Sequence, residues 1–361
     1  MTYPPYGSPP AIEKKTDVIA VAGRIVILIA LIAILVFVVS WVFGCDVIPV
    51  PGYCDFYWSI MGSPKTLIVY SDTGLGNPEL LARELSNPKG MGIRTTSMHL
   101  NRISPALLDE YKLIIVTKAK KMSASQMKMF MEYVYKGGRL VWTGDAGTEI
   151  ILLEGEDEKQ AKEREFLFKD EDPEIKNYKE SDVNSHEIIN PWARKLGGTT
   201  IRFDRFISAA YIGNYCEELE KKCKEFNKTG EIGKSPLSET YCMKKSECET
   251  SLPYLGTIQI NSPKHDTVIG LRNDWKSFGN IALVQVINST STLRVADISK
   301  PVDIGQTTIY PFIIEAGFGG KVLYYALPPE EFVNPELPSN EQGNQWISPH
   351  IISNMYIAAV K

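Results

Sequence analysis

Apolar residues recur along this chain with two periods, and both are clearest between Leu113 and Glu149. Residues 113–117 form a short apolar run rich in β-branched side chains, which is typical of a parallel strand buried on both faces. Apolar residues at helical spacing follow Ser123, whose capping-box partner is Gln126, and two glycines end this segment. A second apolar run leads into the turn Gly144-Asp145-Ala146-Gly147. The pattern predicts a strand, a helix and a second strand, with a glycine-rich turn at its carboxyl end, where open α/β sheets bind ligands.

Strands and helices continue to alternate on both sides of this unit. The predicted strands are residues 66–70, 93–100, 113–117, 139–143, 256–260, 283–286, 307–314 and 320–327, with a weaker one at 203–211. The predicted helices are residues 79–85, 105–110, 190–196 and 349–360, and residues 154–182 are expected to form a solvated helix and a loop. We therefore predict an α/β fold, with a doubly wound, mostly parallel, flavodoxin-like sheet over residues 65–361 and an insertion at about 150–255.

A long apolar segment precedes this domain. It runs from Ile25 to Phe43 and would span about 28 Å as a helix, enough to cross a bilayer. Basic residues lie before the segment and none follows it until Lys65, so the positive-inside rule places the amino-terminal tail in the cytoplasm and the main domain outside. The expected divisions are a cytoplasmic tail (1–17), a transmembrane helix (18–44), a disulfide-closed linker (45–64) and an extracytoplasmic domain (65–361). A cleaved signal peptide is the alternative.

The six cysteines lie outside the predicted core strands. This placement favours disulfide bonds in an oxidising compartment. Three local pairs are expected: Cys45 with Cys54, Cys216 with Cys223, and Cys242 with Cys248. A zinc site made by the last four cysteines is the alternative. Asn227 and Asn288 begin glycosylation sequons, which have meaning only if the domain lies outside the cell.

Composition narrows the range of partners. The net charge is −4, the pI is about 5.8 and the basic residues are scattered, which argues against a nucleic-acid partner. The chain has no Walker, HExxH or GxSxG motif, and we expect neither a cofactor nor a metal site. The expected partners are membrane lipid, through residues 25–43, and other membrane or envelope proteins.

The central unit resembles a known superfamily. The residues that carry the resemblance are Tyr111-Lys112-Leu113, Ser123-Ala124-Ser125-Gln126, Tyr133-Val134, Gly137-Gly138-Arg139-Leu140 and Gly144-Asp145. They are similar to the class I glutamine amidotransferase-like superfamily, and most of all to its membrane-associated, non-catalytic branch of unknown function. The similarity covers residues 65–149 and resumes more loosely at residues 261–265 and 320–331.

The resemblance also bears on catalysis. In catalytic members, the strand that matches residues 139–143 leads into a nucleophile elbow that carries a cysteine. Here Asp145 occupies the elbow region, and no cysteine lies between Cys54 and Cys216. The thiolate that acyl transfer needs is therefore absent from the predicted sheet, and amidotransferase chemistry is not expected.

Three hypotheses for the function follow. The first is a non-enzymatic binding or scaffold protein of the cell envelope, with a ligand face at the carboxyl edge of the sheet near Asp72, Thr73, Lys118, Asp145 and Thr148. The second is a divergent hydrolase acting on an envelope amide or glycan through Asp145, Glu149 and His265. The third is a structural subunit of a membrane assembly that contacts its partners through the apolar segment.

Some further residues have a second interpretation. The turn from Ser71 to Asn77 is similar to the phosphate loop of flavodoxins, although a tight strand-to-helix connection is the simpler interpretation. His265 and His350 are candidates for acid–base work beside Asp145 or Glu315, or else structural histidines. Glutamates 149, 330 and 331 are candidate oxygen ligands of a divalent ion, or else solvated carboxylates.

Overall fold

The computed structural model describes residues 13–43, 65–87, 91–172, 186–229, 244–251, 254–271, 273, 275–287, 292–299, 309–318, 321–333 and 344–360. Contacts divide the chain into two units, Met1–Ser63 with Lys361, and Pro64–Val360.

The first unit contains the helix α1 (Glu13–Phe43). Within it, the 19 residues Val21–Val39 are long and apolar enough to cross a membrane, and none of that stretch is buried. The predicted apolar helix is therefore present. Its length and composition suit a membrane span or a signal sequence, so the predicted topology and location stay predictions. Cys45 and Cys54 lie outside the described residues.

The strands among the described residues are β1 (Thr66–Tyr70), β2 (Thr95–His99), β3 (Leu113–Val116), β4 (Arg139–Thr143), β5 (Ala193–Leu196), β6 (Thr199–Arg202), β7 (Ala209–Asn214), β8 (Tyr254–Ile260), β9 (Trp275–Phe278), β10 (Ala282–Val286), β11 (Leu293–Ser299), β12 (Ile309–Glu315) and β13 (Val322–Tyr325). The main sheet has nine of them, in the order β2-β1-β3-β4-β13-β12-β11-β8-β9. Two small described sheets, β10-β7 and β5-β6, accompany it.

The main sheet has a parallel side and an antiparallel side. Strands β2, β1, β3, β4 and β13 pair in parallel. From β13 onward each pairing is antiparallel, so that β11 and β9 again run in the direction of the parallel strands. The prediction of a mixed α/β fold with a large, mostly parallel central sheet is confirmed. The strand order reverses between β1 and β3, and such a reversal is the usual position of a ligand site in open α/β sheets.

The remaining described helices are α2 (Pro78–Ser86), α3 (Pro105–Leu108), α4 (Ala124–Tyr135), α5 (Glu158–Glu165), α6 (Phe203–Phe206), α7 (Tyr215–Thr229), α8 (Lys245–Ser251) and α9 (Asn344–Val360). Helix α9 contacts α2 and β4, and α4 contacts β4, β5 and α6. Every residue of β3 is buried, as its apolar run predicts.

Local sequence signals explain how two of these helices begin. The capping box predicted at Ser123 is present, since the Ser123 side chain accepts a bond from the Gln126 amide and the Gln126 side chain accepts one from the Ser123 amide. Asn77 caps α2 by accepting a bond from the Leu80 amide at 3.0 Å, and Pro78 follows in the first turn. Both helices begin directly beyond the carboxyl ends of parallel strands, so their first turns fix the loops at that edge.

The insertion departs from its predicted structure. Residues 190–196 were expected to be helical, but Ala193–Leu196 is a strand that pairs antiparallel with β6. The predicted strand at 203–211 begins instead as the short helix α6, and only Ala209 onward is β-strand. Ser208 lies between the two with a φ of +59°, a left-handed conformation that ends the helix and turns the chain. Tertiary pairing overrides local spacing in this region.

Two of the predicted disulfide pairings are wrong. Cys216 bonds to Cys248, 32 residues further on, so neither the pair Cys216–Cys223 nor the pair Cys242–Cys248 forms. Cys216 and Cys223 both lie on α7, where seven residues of helical rise separate them by about 10 Å, beyond the reach of a disulfide. The observed bond joins α7 to α8 with a Cα–Cα distance of 5.6 Å. Cys223 is also disulfide-bonded, and Cys242 lies outside the described residues.

Candidate binding cleft at the carboxyl edge of the sheet

A cleft of about 540 Å³ opens at the carboxyl edge of the parallel strands. The loops that follow β1, β3, β4 and β13 all contribute to it, and the insertion closes its other side. The described residues that line it are Asp72, Thr73, Gly74, Leu75, Gly76, Lys118, Lys120, Lys121, Asp145, Glu149, Asn214, Lys245, Glu249, Gly279, Asn280, Leu327 and Glu331. The cleft thus lies at the carboxyl edge of the sheet, beside the reversal of strand order between β1 and β3.

The turn after β4 is held rigidly by hydrogen bonds to its backbone. The Ala146 carbonyl oxygen accepts bonds from two buried indoles, at 3.0 Å from Trp142 and 2.8 Å from Trp192. Arg194, which is fully buried, donates to the Gly147 carbonyl at 2.9 Å. Gly147 has a φ of +70°, so a larger residue there would be strained, and its Cβ would lie 2.6 Å from the Met127 Cε and displace that side chain. The turn therefore has little freedom to rearrange around a substrate.

Asp145, at the elbow position, is committed to this local structure. It is 2% exposed, and its Oδ1 accepts a hydrogen bond from the Leu75 amide at 2.8 Å. Its Oδ2 lies 3.8 Å from the Lys120 Nζ. Burial raises the pKa of Asp145, and the Leu75 amide and the Lys120 charge oppose that shift. Asp145 therefore ties the turn after β4 to the loop after β1.

Lys120 lies close to three carboxylates on this side of the cleft. Its Nζ lies 2.9 Å from a carboxylate oxygen of Glu149 and 2.9 Å from one of Glu217, while its side chain is only 10% exposed. Burial alone would lower the pKa of Lys120, but the hydrogen bonds to Glu217 and Glu149 and the charge of Asp145 raise it above its ordinary value. Lys120 thus remains an ammonium ion that links the loops after β3 and β4 to α7.

The insertion joins the charge network of the cleft through Glu217, which bonds to Lys120. Its carboxylate also accepts a bond from the Lys245 Nζ at 2.6 Å, so one glutamate bridges two lysines. Burial would raise the pKa of Glu217, but the bonds from Lys245 and Lys120 lower it. Glu217 follows Cys216 on α7 and Lys245 lies on α8, the two helices that the Cys216–Cys248 bond joins. The disulfide therefore holds both partners of this ion pair against the cleft.

Glu330 occupies a second buried position at the same edge. It lies in the 3-10 turn Pro329–Val333 after β13 and is fully buried. Its Oε1 accepts a bond from the Thr117 hydroxyl at 2.5 Å and one from the Asn77 amide at 3.1 Å. Its Oε2 has no partner among the described residues. Burial raises the pKa of Glu330 to about 7, against the opposing bond from Thr117.

The loop after β1 resembles an anion cradle whose donors are already occupied. The Leu75 amide donates to Asp145, and the Asn77 amide donates to Glu330. A Cβ at Gly76 would lie 2.1 Å from the Thr117 Oγ1 and 2.8 Å from a Glu330 oxygen, so only glycine permits this approach. Two carboxylates of the chain thus occupy amides that a phosphate loop would offer to its ligand. A tight strand-to-helix connection is the better interpretation of this loop.

The structure gathers most of the predicted ligand-face residues in one place. Asp72, Thr73, Lys118 and Asp145 line the cleft, and Asp72 also lies 3.4 Å from the His99 ring. Thr148 is buried instead, and its hydroxyl donates to the Asp145 carbonyl oxygen at 2.8 Å.

The three residues predicted to act in a hydrolase, Asp145, Glu149 and His265, do not lie together. Glu149 lines the cleft with Asp145, but His265 bonds to Glu315 at 2.5 Å and to the Thr267 hydroxyl at 2.7 Å. His265 also caps a 3-10 turn, and no described contact joins it to Asp145 or Glu149. The predicted pairing of a histidine with Glu315 is thus present in the structure, away from the elbow turn.

Other predicted residues are not part of this site. His350 is exposed on α9, and Asn288 and the Asn227 side chain lie outside the described residues. Among the described residues no cluster of histidine, cysteine, aspartate and glutamate has the arrangement of a metal site.

Sequence reasoning missed the residues that organise the cleft. Lys120, Glu217 and Lys245 were not singled out, and Glu330 was considered only as a metal ligand. The one local signal for Lys120 is its position just beyond a buried strand. Glu217 carries no signal, because it comes from the insertion, 97 residues away from Lys120.

No protein-family model matches the chain, and no curated protein is significantly similar to it. Among solved structures, the fold is similar to a ThuA-like protein from Bacteroides uniformis, at 13% identity over 83% of this chain and 93% of that chain, with a TM-score of 0.45. It is also similar to PurLQS from Thermotoga maritima, at 10% identity over 81% of this chain and 98% of that chain, with a TM-score of 0.40. A β-galactosidase from Rahnella sp. R3 matches at 10% identity over 82% of this chain and 30% of its own, with a TM-score of 0.41. These likenesses concern the fold, and the function has to be inferred from the cleft.

Proposed function

We propose that this chain is a membrane-anchored binding protein, whose cleft at the carboxyl edge of the sheet holds a ligand without transforming it. The observation that carries the proposal is the state of Asp145. One of its oxygens accepts the Leu75 amide and the other faces Lys120, so the side chain at the elbow position serves the fold. A nucleophile needs a free, activated atom that points at the substrate, and Asp145 offers none.

The remaining lining residues support a binding role. None of the described residues that line the cleft is a cysteine, serine or histidine, and Thr73 provides the one hydroxyl group. The cleft is nevertheless large enough for a small ligand or for the end of a larger one. The charged groups around Lys120 and Lys245 are held by one another before any ligand arrives, and a preorganised site of this kind suits recognition.

The location of the domain belongs to the same proposal. The apolar helix Val21–Val39 would anchor the chain, with the tail in the cytoplasm and the domain in the cell envelope. The disulfide between Cys216 and Cys248 suits an oxidising compartment. In intact cells, a membrane-impermeant amine reagent should label the exposed Lys264. Labelling only after the cells are opened would contradict this orientation.

The binding role is tested with a variant that fills the cleft. Thr73 is exposed and lines the cleft, so Thr73→Trp adds bulk there, while Thr200→Trp adds the same bulk to the exposed hairpin β5–β6. The full chain and both variants are purified from native membranes in mild detergent, and the molecules that they retain are identified by mass spectrometry. We expect the wild type and Thr200→Trp to retain the same species and Thr73→Trp to lose it. Equal retention by all three would contradict the proposal.

The hydrolase and the structural subunit stay predictions. Hydrolysis would require His265, which is bonded to Glu315 and Thr267, to act together with Asp145 and Glu149. Turnover of an envelope substrate by the purified chain, abolished by Asp145→Ala but not by Thr200→Trp, would favour the hydrolase.

A further inference from the structure

The charged groups that line the cleft are nearly balanced in number. Four are lysines, at positions 118, 120, 121 and 245, and five are carboxylates, at positions 72, 145, 149, 249 and 331. The net charge of the lining therefore does not decide what the cleft attracts. The decisive property is which of these groups are already engaged with the protein and which remain for a ligand.

The carboxylates are engaged. Asp145 and Glu149 both face Lys120, at 3.8 and 2.9 Å. Asp72 lies 3.4 Å from the His99 ring. Glu249 lies 3.9 Å from the Lys245 Nζ and accepts a bond from the Asn280 amide group at 3.4 Å. Glu331 also has an interaction within the protein, so every acid that lines the cleft has a partner.

The four lysines that line the cleft fall into two pairs. Lys120 and Lys245 are the cations that these acids and Glu217 bind. Lys118 and Lys121 have no carboxylate partner among the described residues, although both line the cleft. Lys118 and Lys121 are therefore the lining cations that remain available to a ligand.

The backbone of Lys118 supplies an independent observation. Its φ is +49°, in the left-handed region that residues with a Cβ seldom adopt. Two hydrogen bonds hold it there, since its amide donates to the Leu75 carbonyl at 2.8 Å and its carbonyl accepts from the Ser71 amide at 2.9 Å. Glycine or asparagine would occupy this position with less strain. A strained lysine at the reversal of strand order, half-buried in a cleft, is the arrangement expected of a binding residue.

We propose that the cleft takes an anionic ligand, a carboxylate or a phosphate ester, which is bound by the ammonium groups of Lys118 and Lys121. This inference rests on the proposed binding function and specifies its ligand. The engaged acids around Lys120 then have a second effect, since they leave no free cation deeper in the cleft among the described residues. The anion is therefore held at the side formed by the loop after β3.

The test uses two anions that separate the two chemistries. The full chain in mild detergent is titrated by calorimetry with inorganic phosphate and with citrate, at constant ionic strength set by chloride. We expect saturable binding of at least one of them. Tighter binding of phosphate would assign a phosphate ester, and tighter binding of citrate would assign a carboxylate.

Variants then locate the binding. Lys118→Gly removes the charge and relaxes the backbone, and we expect it to weaken binding about tenfold, the usual effect of one lost charge-assisted hydrogen bond. Lys121→Gln should also weaken binding, and Lys118→Arg should retain most of the wild-type affinity. Lys264→Gln, at an exposed lysine outside the cleft, should leave the affinity unchanged. No saturable binding, or equal binding by Lys118→Gly, would overturn the inference.

The experiments distinguish failure of the anionic-ligand proposal from failure of the proposed binding function. If the species lost by Thr73→Trp carries no acidic group, the anion inference is wrong and the binding function stands. If the wild type retains nothing that Thr73→Trp loses, and neither anion binds, both proposals are wrong.

Discussion

Two buried carboxyl groups hold the loop after β1, and they differ in how their charge is compensated. Asp145, from the turn after β4, accepts the Leu75 amide and faces Lys120. Glu330, from the turn after β13, accepts bonds from the Asn77 amide and the Thr117 hydroxyl, and no described cation bonds to it. Both carboxyl groups have the same structural role, because each one bonds the turn that carries it to the loop after β1.

The difference shows that ion pairs stabilise only one side of the cleft among the described residues. On the Asp145 side, Lys120 and Glu217 extend the network into the insertion, and the disulfide secures it. On the Glu330 side, burial raises the pKa of the carboxyl to about 7, and the nearby charge of Glu331 adds to that shift. The first side should therefore be sensitive to the loss of a partner, and the second to pH.

The largest effect is expected from removing Asp145. Asp145→Ala leaves the half-buried Leu75 amide without its acceptor, leaves Lys120 with one fewer acid and opens a cavity, which together should cost about 3–5 kcal/mol of unfolding free energy. Urea unfolding of the full chain in detergent, followed by the fluorescence of the buried Trp142 and Trp192, measures it. Asp145→Asn, which keeps an acceptor for the Leu75 amide, is the matched control and should lose less. Equal stability of Asp145→Ala and the wild type would show that Asp145 does not hold the two loops together.

The disulfide should rank next. Its two cysteines are 32 residues apart, and removing the bond with Cys216→Ala and Cys248→Ala should cost about 3–4 kcal/mol, because the unfolded chain gains freedom. Since α7 carries Glu217, the loss should also make Lys120 more reactive towards amine reagents, which peptide mapping would detect. Unchanged labelling of Lys120 would mean that the ion network holds without the bond.

The pH dependence isolates Glu330. Its pKa rises from an ordinary 4.5 to about 7 in the folded state, so the folded protein binds the proton more tightly than the unfolded chain does. Its contribution to stability is complete below about pH 4.5 and is lost as the pH rises through 7, a change of about 3 kcal/mol. Glu330→Gln stays neutral and keeps an acceptor for Thr117. It should match the wild type at pH 4.5 and be more stable at pH 8, whereas parallel pH profiles would contradict the assignment.

The smallest effect is expected at Lys118, and its sign is opposite. Lys118→Gly removes the strain of a φ of +49° and should raise the unfolding free energy by about 1 kcal/mol. Urea unfolding measures the gain, and Lys264→Gln is the control. A loss of stability would mean that the Lys118 side chain supports the fold rather than a ligand.

The sequence predicted the parallel side of the sheet well, because that structure is encoded locally. The apolar runs of β3 and β4, the Ser123 capping box and the glycines of the elbow turn each lie within a few residues of the element they specify. Even so, β9 and β11 on the antiparallel side were not predicted. These strands depend on partners elsewhere in the chain, and their own burial patterns are mixed.

The sequence indicated where the site lies, but not the hydrogen bonds and ion pairs that hold it together. The carboxyl edge of the sheet and the turn at Asp145 could be placed from the sequence, whereas the order of the strands comes from the structure. The bond from Lys120 to Glu217 joins residues 97 positions apart, and the bond from Thr117 to Glu330 joins residues 213 apart. Periodicity reports on neighbours along a strand or helix and cannot report on contacts that folding creates across the chain.

The most direct test of the central claim compares the ligand of the wild type with that of Asp145→Asn. Both full-length proteins are purified in mild detergent from the same membranes, and the molecules that they retain are identified by mass spectrometry. If the cleft only binds, with Asp145 serving the fold, both proteins should retain the same intact species. If Asp145 acts in a reaction, the variant should instead accumulate an unprocessed substrate that the wild type releases as product, and that result would contradict the account.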